Sequence, residues 1–145
     1  METVREILEH KGFEVRTIAA EATVHDALEE MSKHNVGALL VTDTKGTVLG
    51  IFSERDFARH VIARGDDLRT IPVRDVMTRE VRAIAPERTV EECMAVMTEN
   101  RIRHLPVYDG EELIGIISIG DVVKAVIHEK DFVIDQLEHY IAGSL

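Results

Sequence analysis

The sequence contains little of what several function classes require. Among its 145 residues are one cysteine and no tryptophan, and aromatic residues make up 4%. A single cysteine excludes an intrachain disulfide, as is typical of reducing compartments, and so few aromatic rings leave little surface on which bases could stack. No apolar run approaches the roughly 20 residues of a membrane helix, and the start METVREILEH is not a secretory signal. These absences predict a soluble cytoplasmic protein.

Positive charge is also scarce. The chain carries 17 lysines and arginines against 27 aspartates and glutamates, for a formal net charge of −10. Binding to nucleic acid or to an anionic membrane needs clustered cations that neutralise phosphates. The composition therefore predicts no nucleic-acid partner and no membrane partner. It is compatible with a small anionic ligand held in a local basic pocket.

What the sequence does contain is an internal repeat. Residues 15–43 align with residues 81–109 at a constant offset of 66, and 11 of the 29 positions are identical. After one residue is lost from a turn, GIFSERD at 50–56 matches GIISIGD at 115–121. A repeat of this kind predicts two copies of one unit packed about a pseudo-twofold axis, with related clefts on that axis.

Each copy alternates strand and helix patterns. TVHDALEEM places apolar residues on one helix face, TVEECMAVM repeats that spacing, and each opens with a threonine suited to cap the helix. Two strands follow in each copy, joined by a tight turn that contains Gly46 or Gly110, and the second strand runs into another helix. The sequence therefore predicts an α/β (α+β) fold of two β-α-β-β-α repeats with short N-terminal and C-terminal helices.

The predicted boundaries follow the repeats. Residues 1–63 form the first repeat with its N-terminal helix, 64–72 a polar linker with Gly and Pro, 73–127 the second repeat and 128–145 the C-terminal helix. Cys93 falls on an apolar helix face where the first copy has Ala27. We therefore interpret Cys93 as a small core residue rather than a redox sensor.

Both copies place an S-x-x-D motif where a strand ends and a helix begins: Ser53 with Asp56, and Ser118 with Asp121. Free amides at a helix start attract phosphate. The hydroxyl can donate to a phosphate oxygen, and the carboxylate can accept from ribose hydroxyls. The alternative is that serine and aspartate form a capping box that serves the helix alone. The presence of two equivalent copies favours the ligand-binding interpretation.

Taken together, the strings VGALLV and IRHLPV, the stretches GIFSERD and GIISIGD, and the lead-in VRDVMTREV resemble a tandem pair of CBS domains, also called a Bateman module. The resemblance covers residues 15–43, 50–62 and 76–127. With no further domain attached, the chain is similar to stand-alone CBS-pair proteins. The resemblance implies an adenine nucleotide ligand (AMP, ADP, ATP, sometimes NAD or S-adenosylmethionine), a homodimer and a regulated partner protein.

The resemblance also implies which residues line the two clefts, because each cleft in such pairs combines the aspartate motif of one repeat with the lead-in and first hairpin strand of the other. The first cleft would be rich in cations and suit a phosphorylated nucleotide, since Arg forks match phosphate oxygens. The second, with glycine in place of threonine and no strand arginine, would favour a less charged group, a nucleoside moiety or nothing. The first would contain Ser53, Arg55, Asp56, Thr78, Val81, Arg103 and His104, and the second Ser118, Asp121, Gly12, Val15, Val36 and Gly37.

These expectations lead to one preferred function and one rival. The preferred function is a non-catalytic sensor that binds a nucleotide and signals by conformational change, because no motif supplies a nucleophile, a catalytic cofactor site or a metal site. If His104 is protonated near neutrality, the affinity for phosphate should fall as pH rises from 6 to 8. The rival is a constitutive interaction or scaffold protein that binds no ligand, in which Arg103 and His104 lie on a solvated strand end.

Overall fold

The computed structural model describes residues 2–62 and 65–142. Within them the chain forms two small sheets and five α-helices, so the predicted α+β class is confirmed. The helices are α1 (Val4–Lys11), α2 (Val24–His34), α3 (Glu54–Asp56), α4 (Val90–Asn100) and α5 (Ile119–Ile141), and the strands are β1 (Thr17–Ala19), β2 (Ala38–Thr42), β3 (Val48–Ser53), β4 (His104–Asp109) and β5 (Glu112–Ser118).

The chain divides into two compact units. The central unit is Val15–Val81, and the terminal unit combines Met1–Glu14 with Arg82–Leu145. The repeat boundaries predicted from the sequence assign the N-terminal helix to the first repeat, whereas α1 packs within the terminal unit. The boundaries of the four predicted segments therefore remain a prediction. Residues 1, 63–64 and 143–145, at the ends of these segments, lie outside the described residues.

In the central unit, β1 pairs in parallel with β2, and β2 pairs antiparallel with β3. The inward side chains of this sheet, such as Leu39 and Phe52, pack against the apolar face of α2. The hydroxyl of Thr23 caps α2 by accepting from the amide of Asp26 at 3.1 Å, as the sequence predicts. After β3 the chain runs through α3 into a π-helical segment over Phe57–Val61.

The terminal unit has the same plan with one strand fewer. Its hairpin, β4 with β5, packs with α4, α1 and the start of α5. The first strand predicted for the second repeat is reduced to a single parallel bridge between Ile84 and Val107. In the central unit the amide of Ala20 extends the pairing by donating to Thr42 O at 2.9 Å, and Pro86 at the equivalent position has no N–H to donate.

In each unit a lead-in segment lies across the hairpin at a glycine; it contains Thr78 in the central unit and Leu8 in the terminal unit. In the central unit the amides and carbonyls of Ile51 and Thr78 exchange two hydrogen bonds of 2.9 Å. A Cβ on Gly50 would lie 2.6 Å from the carbonyl oxygen of Thr78. In the terminal unit a Cβ on Gly115 would lie 2.7 Å from Cδ2 of Leu8 on α1. The two glycines therefore allow a second segment to lie directly on each hairpin.

None of the helices in the described part of the chain combines the length and the apolar composition needed to span a bilayer.

The two crossings should differ in their tolerance of a methyl group. We expect Gly50→Ala to destabilise the protein by about 1–3 kcal/mol, since a backbone carbonyl cannot rotate away from the new Cβ. Gly115→Ala should cost less, because the Leu8 side chain can change rotamer. Chemical denaturation of both variants measures the difference in the free energy of unfolding.

Gly120→Ala is the matched control, since its Cβ would meet only Ser118 Oγ at 3.6 Å, an ordinary contact. Alanine at that helical position should stabilise the protein by about 0.5–1 kcal/mol. A Gly50→Ala variant as stable as Gly115→Ala would show that the backbone crossing does not constrain this strand.

Candidate functional site

The helix start at Ser53 is built around the carboxylate of Asp56, which is 7% exposed. Its Oδ2 accepts from the Ser53 amide at 2.8 Å and from the Ser53 hydroxyl at 3.0 Å. The amide of Asp56 in turn donates to Ser53 Oγ at 3.4 Å. The capping box anticipated as the structural alternative is therefore present.

The second oxygen of the Asp56 carboxylate has a partner from outside the helix. The hydroxyl of Thr78 donates to Asp56 Oδ1 at 2.8 Å. Thr78 reaches this position because its backbone bridges to Ile51 in β3. The structure thus brings together three of the predicted site residues within the central unit, and it shows that the carboxylate oxygen accepts from an alcohol.

The helix start at Ser118 has the same capping box with a different third partner. Asp121 Oδ2 accepts from the Ser118 amide at 2.8 Å and from the ammonium group of Lys11 at 2.6 Å. Lys11 also donates to the carbonyl of Ile116 at 2.9 Å. Partial burial alone would raise the pKa of Asp121, but the bonds from Lys11 and Ser118 outweigh it and hold that pKa below its ordinary value.

His104 lies in register opposite Ser118 in the β4–β5 hairpin. Burial lowers the pKa of its imidazole, the positive charges of Lys11 and Arg103 lower it further, and the charge of Asp121 only partly offsets them. The ring is therefore neutral at pH 7. The pH dependence expected between 6 and 8 moves to lower pH, because the ring gains its proton only there.

The two helix starts offer fewer free amides than the sequence suggests. The amide of Glu54 donates to the carbonyl of Gly37 at 3.1 Å, and the amide of Ile119 donates to the carbonyl of Arg103 at 2.8 Å. The third amide of each helix is bound by the capping serine. The first and third amides at each helix start are therefore already bonded within the protein.

The other predicted residues are distributed over both units. Arg55 and Arg103 have exposed side chains, and Val15, Val36 and Val81 are half-buried. Gly12 ends α1 with a positive φ of 107° and donates to Leu8 O at 2.7 Å. The predicted clefts draw residues from both units, and those groupings remain a prediction.

A cavity of about 340 Å³ lies between α1 and α5 in the terminal unit. It shares Asp121 with the second helix start and adds cationic and titratable side chains that the sequence reasoning missed. They are His10, Lys11, Lys124 and His128. One feature of the sequence could have indicated Lys11. It directly precedes Gly12 in the lead-in, just as Met77 precedes Thr78 in the other repeat.

Two further side-chain groups have structural explanations. Cys93 is fully buried, as predicted for a core residue, and burial raises the pKa of its thiol to about 11. His25, Asp26 and Glu29 bring their ligand atoms within 4.8 Å of one another. Asp26 Oδ2 accepts from the Thr23 amide at 3.2 Å, and His25 Nε2 lies 3.6 Å from Glu29 Oε1 one turn along α2, so helix capping and a surface contact within one helix account for this cluster.

Two units of related plan, each with a capped S-x-x-D helix start beside a lead-in segment, define this chain as a tandem α+β repeat module. Residues 3–63 and 73–128 match the profile of the CBS domain. The chain therefore belongs to the CBS domain family and carries a pair of these domains, as the resemblance predicted.

Several curated relatives support this assignment. The chain is 44% identical over 125 residues to the mitochondrial CBS domain-containing protein CBSX3 of Arabidopsis thaliana, an alignment that covers 83% of this chain and 61% of the plant protein. It is 32% identical over 131 residues to the CBS domain-containing protein YhcV of Bacillus subtilis, covering 90% and 85%. The chain thus spans about three fifths of the length of the plant relative.

Solved structures show the same fold. A CBS-domain protein from Burkholderia ambifaria MC40-6, for which a role in signal transduction has been proposed, is 45% identical with a TM-score of 0.84, over 87% of this chain and 94% of that one. A hexameric CBS-CP12 protein from bloom-forming cyanobacteria is 33% identical with a TM-score of 0.74, over 83% and 66%.

Replacing Lys11 by methionine removes its charge at nearly constant side-chain length. We expect the pKa of Asp121 to rise, because the carboxylate loses its ammonium partner. The pKa of His104 should rise as well, because a nearby positive charge that disfavours the imidazolium is gone. NMR titration of the two side chains measures both shifts.

Lys124→Met is the control, since Lys124 lines the same cavity without bonding to Asp121 in the described contacts. The lowered pKa of Asp121 stabilises the fold above the ordinary carboxyl pKa, and this contribution is lost as pH falls through the lowered value. The Lys11→Met variant should therefore lose less stability on acidification. An Asp121 titration identical in variant and wild type would refute the ion pair.

Proposed function

We propose that this chain is a non-catalytic regulatory module that binds an adenine nucleotide (AMP, ADP, ATP or NAD) at its S-x-x-D helix starts. Binding would change the conformation of the module, and a partner protein would detect that change. A ligand shifts such an equilibrium only through its different affinities for the two states.

The single observation that carries this proposal is the hydrogen bond from the Thr78 hydroxyl to Asp56 Oδ1 at 2.8 Å. Asp56 is nearly buried, and its second oxygen already accepts from an alcohol. A ribose hydroxyl is also an alcohol donor, so it could bond to the same oxygen with little change in the site. The Ser53 bonds to Oδ2 would hold the carboxylate in place meanwhile.

The second helix start differs because Lys11 forms an ion pair with Asp121 and offsets its negative charge. A ribose there would have to compete with an ammonium group that is already bound, which is harder than competing with a hydroxyl. Lys11 could instead turn toward a phosphate group of the ligand. We therefore assign ribose recognition primarily to Asp56 and a weaker or phosphate-directed role to Asp121.

The absence of catalysis belongs to the same proposal. Both aspartates are engaged in capping boxes, and the lowered pKa of Asp121 makes it a poor proton donor at neutral pH. The curated relatives with this pair include an arabinose 5-phosphate isomerase of Yersinia pestis, in which the matched part is 35% of the protein. That proportion is consistent with an accessory, regulatory role for the pair.

Self-association and location also remain proposals. The hexameric CBS-CP12 neighbour shows that proteins of this fold assemble, and we propose a homodimer for this chain. Cytoplasmic location stays a prediction from composition, and the plant relative is mitochondrial by its name.

A second candidate function is a constitutive scaffold that binds no ligand. The observation in its favour is that the capping boxes are complete at Ser53 and at Ser118, and both carboxylates have protein partners. Under this alternative the aspartates contribute only to stability.

Isothermal titration calorimetry with AMP, ADP, ATP and NAD separates the two functions. We expect the wild-type protein to bind at least one of them, and a ligand present at 100 times its dissociation constant should add about 2.7 kcal/mol of stability. Asp56→Ala should weaken that binding at least about tenfold, since it removes a charge-assisted hydrogen bond.

Asp26→Ala is the matched control, because Asp26 forms the equivalent capping box on α2 and is in neither predicted site. Both variants should lose stability from the broken capping box, and Asp56→Ala should lose more because its carboxylate is buried and also accepts from Thr78, but only Asp56→Ala should lose affinity. If no nucleotide binds the wild type and the two variants differ only in stability, the scaffold function is correct.

A further inference from the structure

The last helix extends well beyond the core of its unit. α5 comprises 23 residues, and Val122 and Ala125 in its first two turns are buried in the terminal core. From residue 130 to residue 142 every side chain is exposed. Packing within the described part of the unit therefore explains only the first half of this helix.

Six of the nine exposed large apolar side chains of α5 follow one line, interrupted by Lys130, which we call the α5 stripe; Phe132, Val133 and Tyr140 lie off it. Its residues are separated by three or four positions, so they lie on one face of a helix with 3.6 residues per turn. Their exposure runs from 38% at the first to 81% at the last. The stripe consists of Ile119, Val123, Ile127, Lys130, Ile134, Leu137 and Ile141.

The CBS domain match ends at residue 128. Ile134, Leu137 and Ile141 lie beyond it, so the shared fold does not account for them. An exposed apolar stripe of this length on a water-soluble surface marks a contact with another molecule.

The spacing of the α5 stripe fits another helix. Ile127, Ile134 and Ile141 are seven residues apart, and Val123, Lys130 and Leu137 form a second series of seven. Two interleaved series of this period are the core positions of a coiled coil. A second copy of the chain supplies a helix with the same stripe.

Charge decides the orientation of such a pair. A parallel pair in register would place the two Lys130 ammonium groups in one layer of the apolar core. One edge of the stripe carries Lys124, Asp131 and Glu138, and the other edge carries Val126, Val133 and Tyr140. Parallel pairing sets the charged edge of one helix against the apolar edge of the other, whereas antiparallel pairing sets like edges together.

An antiparallel pair whose twofold axis passes near residue 132 sets apolar residues opposite apolar residues and opposite charges near each other. Ile127 would lie across from Leu137 of the second copy, and Val123 across from Ile141 of the second copy. Lys124 of each copy would approach Glu138 of the other. The two Asp131 carboxylates near the axis would lie beside the two Lys130 ammonium groups, which offset their charge.

We propose that α5 pairs with α5 of a second copy of this chain as an antiparallel two-helix coiled coil. This proposal rests on the self-association proposed above and is independent of nucleotide binding.

Site-directed crosslinking tests the pairing and its direction. In a Cys93→Ala background, Val133→Cys lies near the proposed axis and should crosslink to itself with a short bismaleimide. Ile141→Cys alone should not crosslink, but a mixture of Val123→Cys and Ile141→Cys chains should. Crosslinking of Ile141→Cys to itself would indicate a parallel pair and overturn the proposal.

Solution mass of the full chain provides the second test. Leu137→Asp should halve the mass measured by light scattering, toward 16.3 kDa if the wild type is a dimer. Gln136→Asp is the matched control, since it adds the same charge on the same turn away from the stripe and should leave the mass unchanged. Circular dichroism confirms that each variant is folded.

The outcomes distinguish the two proposals. A monomeric wild type refutes both the self-association and the α5 pair. A wild-type oligomer that Leu137→Asp leaves intact, without a Val133→Cys crosslink, refutes the α5 pair alone.

Discussion

The contact on which both units depend is the crossing of a lead-in segment over a hairpin at a glycine. In the central unit the backbone of Thr78 lies against β3 where Gly50 has no side chain, and in the terminal unit Leu8 lies against β5 at Gly115. The same crossings bring a functional group from each lead-in to the neighbouring helix start. Thr78 reaches Asp56, and Lys11 reaches Asp121. Packing and site chemistry thus have one structural origin.

The two sites differ although the motifs that build them are the same. Each has a serine, an aspartate and a capping box, and the third partner is a neutral hydroxyl in one and an ammonium group in the other. The Thr78 hydroxyl is a neutral partner, whereas the Lys11 ammonium group holds Asp121 in an ion pair that offsets its negative charge. Divergence at two adjacent positions of the lead-in, Lys11–Gly12 against Met77–Thr78, is therefore enough to give the two aspartates different partners.

The weaker of the two proposed ligand sites, at Asp121, lies on the same helix as the proposed contact between copies. Asp121 is in the first turn of α5, and the apolar stripe extends to its last turn, roughly 30 Å away at 1.5 Å per residue. The structure therefore places one proposed ligand group and the proposed contact at opposite ends of a single continuous helix.

Local patterns were sufficient to predict the repeat, the helix caps at Thr23 and Thr89, the turns at Gly46 and Gly110 and the burial of Cys93. Each of these depends on hydrogen bonds or side-chain spacing within a few residues. The motif also indicated Ser53, Asp56, Ser118 and Asp121, although whether they bind ligand stays a prediction. The missing strand around Ile84 could also have been predicted from Pro86. Proline has no N–H, so it cannot donate the backbone hydrogen bond that Ala20 donates to Thr42 in the central unit. The assignment of α1 to the terminal unit, the Thr78 bond, the Lys11 ion pair and the neutral state of His104 came only from the folded chain. These features depend on contacts between segments up to about a hundred residues apart. The energy of such contacts comes from burial and charge in the folded chain. They therefore produce no periodic pattern in the sequence.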